Sequence, residues 1–236
     1  VGDEVFGIMT PEITGALAEY ISIPESGLVK KPDSITHQEA STLGVAALTA
    51  YEGIYDYYTP AAGDHVLIHG ASGGIGTFAV QMARALGAQV TAVCSGKNEQ
   101  LVRSVGAGAV IDYQSVNLLE IEDRFDLIYD LIGNHSPKDM KKLLKEGGRL
   151  VLASGGEGLG FLKAMQVAKK DESVDLIVDL KKDKSRLEAV LALSKAGTIV
   201  PVIDREYSFE EVASAIDYVA TKRARGKVVV NLVPKD

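Results

Sequence analysis

Tryptophan is absent from these 236 residues, and cysteine occurs once, as Cys94. A lone cysteine excludes an internal disulfide and a cysteine-rich zinc site, and it suits a reducing, cytoplasmic setting. Positive charge is also short. Lys and Arg number 25 against 32 Asp and Glu, a net charge of −7, which argues against a nucleic-acid partner. No apolar run approaches the roughly 20 residues of a membrane span, so no membrane partner is expected. The four histidines, His37, His65, His69 and His135, stand at no metal-ligand spacing. No Cys, Asp or Glu joins His65 and His69 in sequence, and they read as structural. Cys94 reads as a small apolar filler. Neither a G-x-S-x-G elbow nor an H-E-x-x-H motif occurs, and no metal ligand is assigned. Internal repeats and low-complexity tracts are missing too. What remains is a chain 46% hydrophobic, long enough for one large domain or two smaller ones.

Within it, one stretch organises the rest: His65-Val66-Leu67-Ile68-His69-Gly70-Ala71-Ser72-Gly73-Gly74-Ile75-Gly76. It predicts a short buried strand, a glycine turn, and a helix over Thr77 to Leu86 that stops at Gly87. Strand, glycines and helix in that order form the geometry that cradles a dinucleotide pyrophosphate. A side chain in the turn would keep the backbone from the phosphates. The helix start supplies free N–H groups and partial positive charge. The glycines fit G-x-x-G-x-x-G and G-x-x-x-G-x-G rather than the strict G-x-G-x-x-G.

Around this stretch the apolar pattern alternates strand and helix. Strands are expected at Gln89–Val93, Ala109–Asp112, Asp126–Ile132, Arg149–Ala153 and Val174–Val178. Helices are expected at Asn98–Ser104 and Lys138–Lys145, the latter closed by Gly147-Gly148. Continuous apolar strands with crossover helices predict a parallel sheet covered on both faces. Earlier in the chain, 1–7 and Ala16–Ile23 read as strands. Thr36-His37-Gln38-Glu39 reads as a capping box, and Ala46 to Tyr57 as helical. In the tail, Thr198–Ile203 and Gly226–Val233 read as strands, and between them a second capping box, Ser208 to Glu211, opens a helix to about Lys222 whose apolar positions Val212, Ala215, Ile216 and Val219 share one face. The tail strands are expected to pair with the opening ones. Lys181 to Lys184 reads as a solvated turn.

The end of the second sheet strand bears on which dinucleotide is bound. An NAD site usually has Asp or Glu about 20 residues past the glycine turn. Here the sequence reads Val93-Cys94-Ser95-Gly96-Lys97-Asn98, with no carboxylate. Ser95 and Lys97 suit a 2′-phosphate, which favours NADP(H) over NAD(H). One rival pattern is Tyr218-x-x-x-Lys222, which with the glycine turn matches the short-chain dehydrogenases. Its placement opposes that reading, because Gly70 lies deep in the chain and Lys222 close to its end. The pair reads as accidental.

Several segments in order resemble one family: the zinc-independent medium-chain dehydrogenase/reductases, in the quinone oxidoreductase (zeta-crystallin-like) branch. Val1-Gly2-Asp3-Glu4-Val5-Phe6-Gly7 resembles its G-D-x-V-x-G turn, and Ala18-Glu19-Tyr20 its A-E-Y strand. Ala47-Leu48-Thr49-Ala50 resembles the entry to its cofactor domain, and 70–76 its glycine loop. Val105-Gly106-Ala107-Gly108 with Ile111-Asp112-Tyr113 resembles G-A-D-x-V-I-D-Y. Pro201 to Asp204 and Arg225 to Val229 resemble its closing strands.

The resemblance implies an α/β fold: a Rossmann doubly wound parallel sheet plus the remnant of a GroES-like β-barrel substrate domain. The expected divisions are a partial substrate domain over 1–46, an NADP(H)-binding domain over 47–182, and a connecting helix with return strands over 183–236. Against the family the chain starts in the middle of the barrel, so the opening third, which usually carries substrate-pocket residues, is missing from it, and no catalytic acid is named. The resemblance also implies NADPH-dependent hydride transfer to a quinone or an α,β-unsaturated carbonyl, without zinc, in a homodimer. By resemblance, Ser72, Gly73, Gly74 and Ile75 meet the pyrophosphate, and Ser95, Lys97 and Tyr113 surround the 2′-phosphate. Gly133 and Ser154 line the nicotinamide half, Thr49 lies beneath the ring, and Lys227 reaches a phosphate. Three alternatives stay open: an NADP(H)-binding module without turnover, an enoyl-reductase domain of a synthase, and a zinc alcohol dehydrogenase.

Overall fold

The computed structural model describes residues 1–8, 15–153, 159–178 and 184–232. In chain order the elements are β1 (Val5–Gly7), β2 (Leu28–Lys30), α1 (His37–Thr42), α2 (Leu48–Tyr51), β3 (His65–His69), α3 (Gly76–Ala85), β4 (Gln89–Cys94) and α4 (Glu99–Ser104). There follow β5 (Ala109–Asp112), β6 (Phe125–Asp130), α5 (Pro137–Met140), β7 (Leu144–Leu152), α6 (Leu159–Ala168) and β8 (Val174–Leu176). The tail holds α7 (Lys184–Lys195), β9 (Ile203–Ser208), α8 (Val212–Ala220) and β10 (Lys227–Asn231). They form two compact units, one of Val1–Leu48 with Lys181–Asp236 and one of Thr49–Leu180.

The second unit is a six-stranded parallel sheet in the order β5-β4-β3-β6-β7-β8. This is the Rossmann doubly wound arrangement, with the chain leaving β3 on both sides. β3 and β6 are central, and their apolar runs are buried almost throughout. Leu67, Phe125, Ile128, Leu150 and Val174 meet Met140 and Leu143 in one core cluster. Tyr129 is fully buried, and its hydroxyl donates to the Thr49 carbonyl at 2.6 Å. Gly53 lies against that ring, where a Cβ would strike Tyr129 Cζ. The helical stretch before β3 is wider-wound than expected, with π-type turns at Leu43–Ala47 and Glu52–Tyr57 on either side of α2.

In the first unit, β1 pairs antiparallel with β2 and β10 pairs parallel with β9. Thr36 and Glu39 form the expected capping box on α1. At the second one, the Ser208 amide donates to Glu211 Oε2 at 3.0 Å. Among the described residues no helix is long and apolar enough to cross a membrane.

Four local expectations are corrected. Residues 15–23 bend without entering a strand, and Tyr20 is 90% exposed. The helix expected to Lys145 stops at Met140, and β7 begins at Leu144 and runs through Gly147-Gly148. The pair is therefore not a helix stop. It sits where β7 shifts register against β6, and a Cβ at Gly148 would lie 2.8 Å from the Phe125 carbonyl oxygen. The tail strand is Ile203–Ser208, not Thr198–Ile203, and Pro201 has no N–H to give to a ladder. Finally, the tail strands pair with each other rather than with β1. The link to the opening residues is a side-chain bond, Gln38 Nε2 to Asn231 Oδ1 at 3.0 Å. The expected turn at Lys181 to Lys184 lies mostly outside the described residues.

Candidate dinucleotide-binding site

β3 delivers the chain to a turn that only glycine can make. Gly70 has φ +89°, and a Cβ there would lie 2.8 Å from Ile132 Cδ1. A Cβ at Gly76 would strike the Gly70 carbonyl oxygen, so the end of the turn packs on its beginning. The Gly73 amide donates to the Gly70 carbonyl at 3.1 Å, and the Thr77 amide to the Gly73 carbonyl at 3.1 Å. The amides of Gly74, Ile75 and Gly76 find no acceptor among the described residues. The turn therefore presents three donors at the start of α3, at the carboxyl end of β3, where the sheet's strand order reverses. Ser72, Gly73, Gly74 and Ile75 come together here, each half-buried.

Next to it, β4 ends at Cys94, followed by Ser95, which is buried, and Lys97, which is exposed. The Tyr113 amide donates to the Cys94 carbonyl at 3.2 Å. This brings Tyr113, 52% exposed, to the same strand ends as Ser95 and Lys97. Asn98, which sequence reasoning passed over, ties this turn to the glycine turn: its Nδ2 donates to Ser72 Oγ at 3.0 Å. Burial pushes the Cys94 thiol up to about 11, in keeping with a filler rather than a nucleophile.

One expectation about this corner is corrected. No carboxylate occurs over 95–98 after β4, but Asp112 at the end of β5 brings one there in space. Its Oδ2 lies 2.6 Å from where a Gly96 Cβ would sit. The strand pairing Cys94 with Asp112 sets that approach, and no sequence spacing from the glycine turn reveals it.

On the other side of β3, Gly133 has φ +69° and its amide donates to Asp130 Oδ1 at 3.1 Å. Asp130 also accepts from the Ile132 amide at 3.0 Å and from His69 Nδ1 at 2.8 Å. The reading that no acid joins His69 is thus corrected: β3–β6 pairing sets His69 opposite Asp130. His65 has an acid as well, its amide donating to Asp126 Oδ2 at 2.7 Å. Burial, the largest influence on Asp130, pushes its pKa up, yet the His69 contact and the two amides outweigh it and hold the carboxyl below its usual value. The D-x-x-G spacing of Asp130 and Gly133 was the available signal for this loop.

The remaining expected residues are spread out. Thr49 is buried in the sheet unit. Ser154 lies outside the described residues. Lys227 is half-buried on β10 of the other unit, and burial lowers its amine pKa. Tyr218 donates its hydroxyl to Asp204 Oδ2 at 2.6 Å, and that bond raises its pKa. A tyrosine acid activated by a neighbouring lysine would show the opposite shift.

Comparison with known proteins agrees with this geometry. A family model described as zinc-binding dehydrogenase matches residues 105–230, more than half of the chain. The mitochondrial NAD(P)H oxidoreductase RTN4IP1 of Danio rerio is 33% identical over 98% of this chain and 66% of its own length. The 2-methylene-furan-3-one reductase of Solanum lycopersicum is 33% identical over 99% of this chain and 58% of its own. The chain thus spans less than two thirds of the length of these relatives. Among solved structures, the quinone oxidoreductase of Coxiella burnetii superposes with a TM-score of 0.89 at 26% identity, over 99% of this chain and 73% of that one. A Rossmann sheet, a turn closed to any Cβ at Gly70 and Gly76, and relatives matched from end to end of the chain place it in the zinc-binding dehydrogenase family, within the medium-chain dehydrogenase/reductase superfamily.

Proposed function

We propose that this chain binds NADP(H) and forms the larger part of an NADPH-dependent oxidoreductase that passes hydride to a quinone or an α,β-unsaturated carbonyl. The carrying observation is the turn at 70–76, which has no space for a Cβ at Gly70 or Gly76 and whose Gly74, Ile75 and Gly76 amides find no acceptor among the described residues. Relatives named NAD(P)H oxidoreductase and 2-methylene-furan-3-one reductase support the reaction class. Bound, the reduced nicotinamide would supply the hydride. The chain's own part is to hold and orient. Ser72, Gly73, Gly74 and Ile75 would meet the pyrophosphate, with the Gly74 and Ile75 amides as donors, and Ser95, Lys97 and Tyr113 would surround the 2′-phosphate. Gly133 and Ser154 would border the nicotinamide half, with Thr49 beneath the ring.

The reaction is read as zinc-independent. This follows the family resemblance alone, and no step is derived through a metal ion. We further infer a homodimer, because β8 is an edge strand that pairs, among described residues, with β7 alone. The single cysteine supports a reducing compartment such as the cytoplasm.

Titration with NADPH and separately NADH, read by the reduced nicotinamide's own fluorescence, tests the cofactor. NADPH is expected to bind more tightly. Lys97→Ala should remove about 1.5–3 kcal/mol from NADPH binding and little from NADH. Asp112→Asn should widen the preference for NADPH, because it removes a negative charge beside the phosphate. Equal affinity for the two dinucleotides would overturn the 2′-phosphate reading, and binding of neither would overturn the dinucleotide reading. Loss of nicotinamide absorbance on adding quinones or enones would separate turnover from binding alone.

A further inference from the structure

The strand order reverses between β3 and β6, and there the two central strands end in titratable residues. His69 closes β3 and Asp130 closes β6, directly opposite each other. Their side chains are almost completely buried, at 5% and 0% exposure, and are joined by the 2.8 Å bond. Asp130 Oδ1 takes three donors, while Oδ2 is equally buried and accepts from no described residue. The carboxylate charge is therefore only partly answered. Above the pair, the half-buried His135 ring stacks on the His69 ring, with centroids 5.7 Å apart and planes inclined by 25°. His69 is followed by Gly70, and His135 belongs to the loop whose Ile132 packs on Gly70. An Asp–His–His column thus rises between the glycine turn and the Gly133 loop, and its outer member is the one open to solvent.

We propose that His135 is a contact of the bound dinucleotide, and that its imidazole takes up a proton when the anionic pyrophosphate is bound. The inference rests on the dinucleotide reading above and adds to it a residue and a proton. Three groups face His135: His69 on β3, Asp130 on β6 and Asp139 on α5. Burial first and then His69 lower its pKa, against the opposing pull of Asp130 and Asp139. A phosphate anion brought to this end of the sheet adds the negative charge that reverses the balance. The under-satisfied Asp130 behind the stack favours positive charge on the column in the same sense. Because the bound pKa lies above the free one, affinity rises as pH falls through the bound value and levels off below the free value.

The test compares the wild-type chain with His135→Asn. The dissociation constant for NADPH is measured between pH 5.5 and 8, and the ratio of variant to wild type is followed, which cancels the titration of the 2′-phosphate itself. The ratio should grow toward low pH, by about tenfold for each unit through which binding raises the imidazole pKa. Calorimetry in two buffers of different ionisation enthalpy should show proton uptake by the wild type near pH 6.5 in excess of the variant's. His135→Gln should behave as the asparagine does. A ratio that stays constant with pH, with equal proton counts, would show His135 to be a packing partner of His69 and overturn the inference. A wild type that binds neither dinucleotide would overturn the function reading, and this inference with it.

Discussion

The two units of the molecule use strands in opposite ways. In the Thr49–Leu180 unit, β3 and β6 are buried along nearly their whole length, and a core cluster fills the sheet face. In the other unit, β9 has no buried residue and β10 has one, Val229. Its α8 buries Ala215 but leaves Ile216 at 58% and Val219 at 51% exposure, although Val212, Ala215, Ile216 and Val219 share a face by spacing. A strand buried on both sides is held by its own unit. A half-exposed one is held mainly by its ladder, and an apolar stripe without a core adds little. The candidate site, built on the ends of β3, β4 and β6, thus stands on the strands with the most buried residues.

Mutations should expose this contrast in descending order. Phe125→Ala removes a ring 1% exposed in the sheet core and should cost about 3–5 kcal/mol in urea unfolding. Asp130→Asn keeps the shape but replaces the carboxylate that bonds His69 Nδ1 and two backbone amides, and should cost about 1.5–3 kcal/mol at neutral pH. It should also flatten the acid limb. Because the folded pKa of Asp130 is lowered, its contribution is present above the unfolded value of about 3.9 and lost as pH falls through the folded value. An unchanged acid limb would show that Asp130 does not carry it.

Two tyrosines sharpen the comparison further. Tyr129→Phe leaves the buried Thr49 carbonyl without its donor and should cost about 1–3 kcal/mol. Tyr218→Phe cuts a part-buried bond to Asp204, an acid that also accepts from the Arg225 amide, and should cost about 1 kcal/mol or less. At the bottom of the scale, Ile216→Ala should change stability by no more than about 0.5 kcal/mol. If it costs as much as Phe125→Ala, the face of α8 is covered in solution and the contrast between the units fails.

The sheet was legible because its inner strands β3, β4 and β6 are buried along most of their length, and such strands must be largely apolar. His65–His69, Gln89–Cys94 and Ala109–Asp112 could be read within a residue of their ends. The glycine turn was legible because a missing side chain is itself written in the sequence. Gly147-Gly148 was misread, since a glycine pair marks a helix stop and a strand irregularity alike, and only the carbonyl of Phe125 distinguishes them. α8 was found, but its apolar stripe says nothing of what covers it.

By itself, then, the amino-acid sequence determined the periodic features: buried strands, capped helices, and a turn too tight for a Cβ, all fixed by residues close in the chain. The tertiary structure alone decided which distant side chains share a space. His69 and Asp130, 61 residues apart, meet because parallel pairing sets them opposite. Asp112 reaches Gly96 for the same reason, one strand further out. Periodicity is a local property of the backbone, whereas the charge around a binding site is summed over strands that become neighbours only on folding.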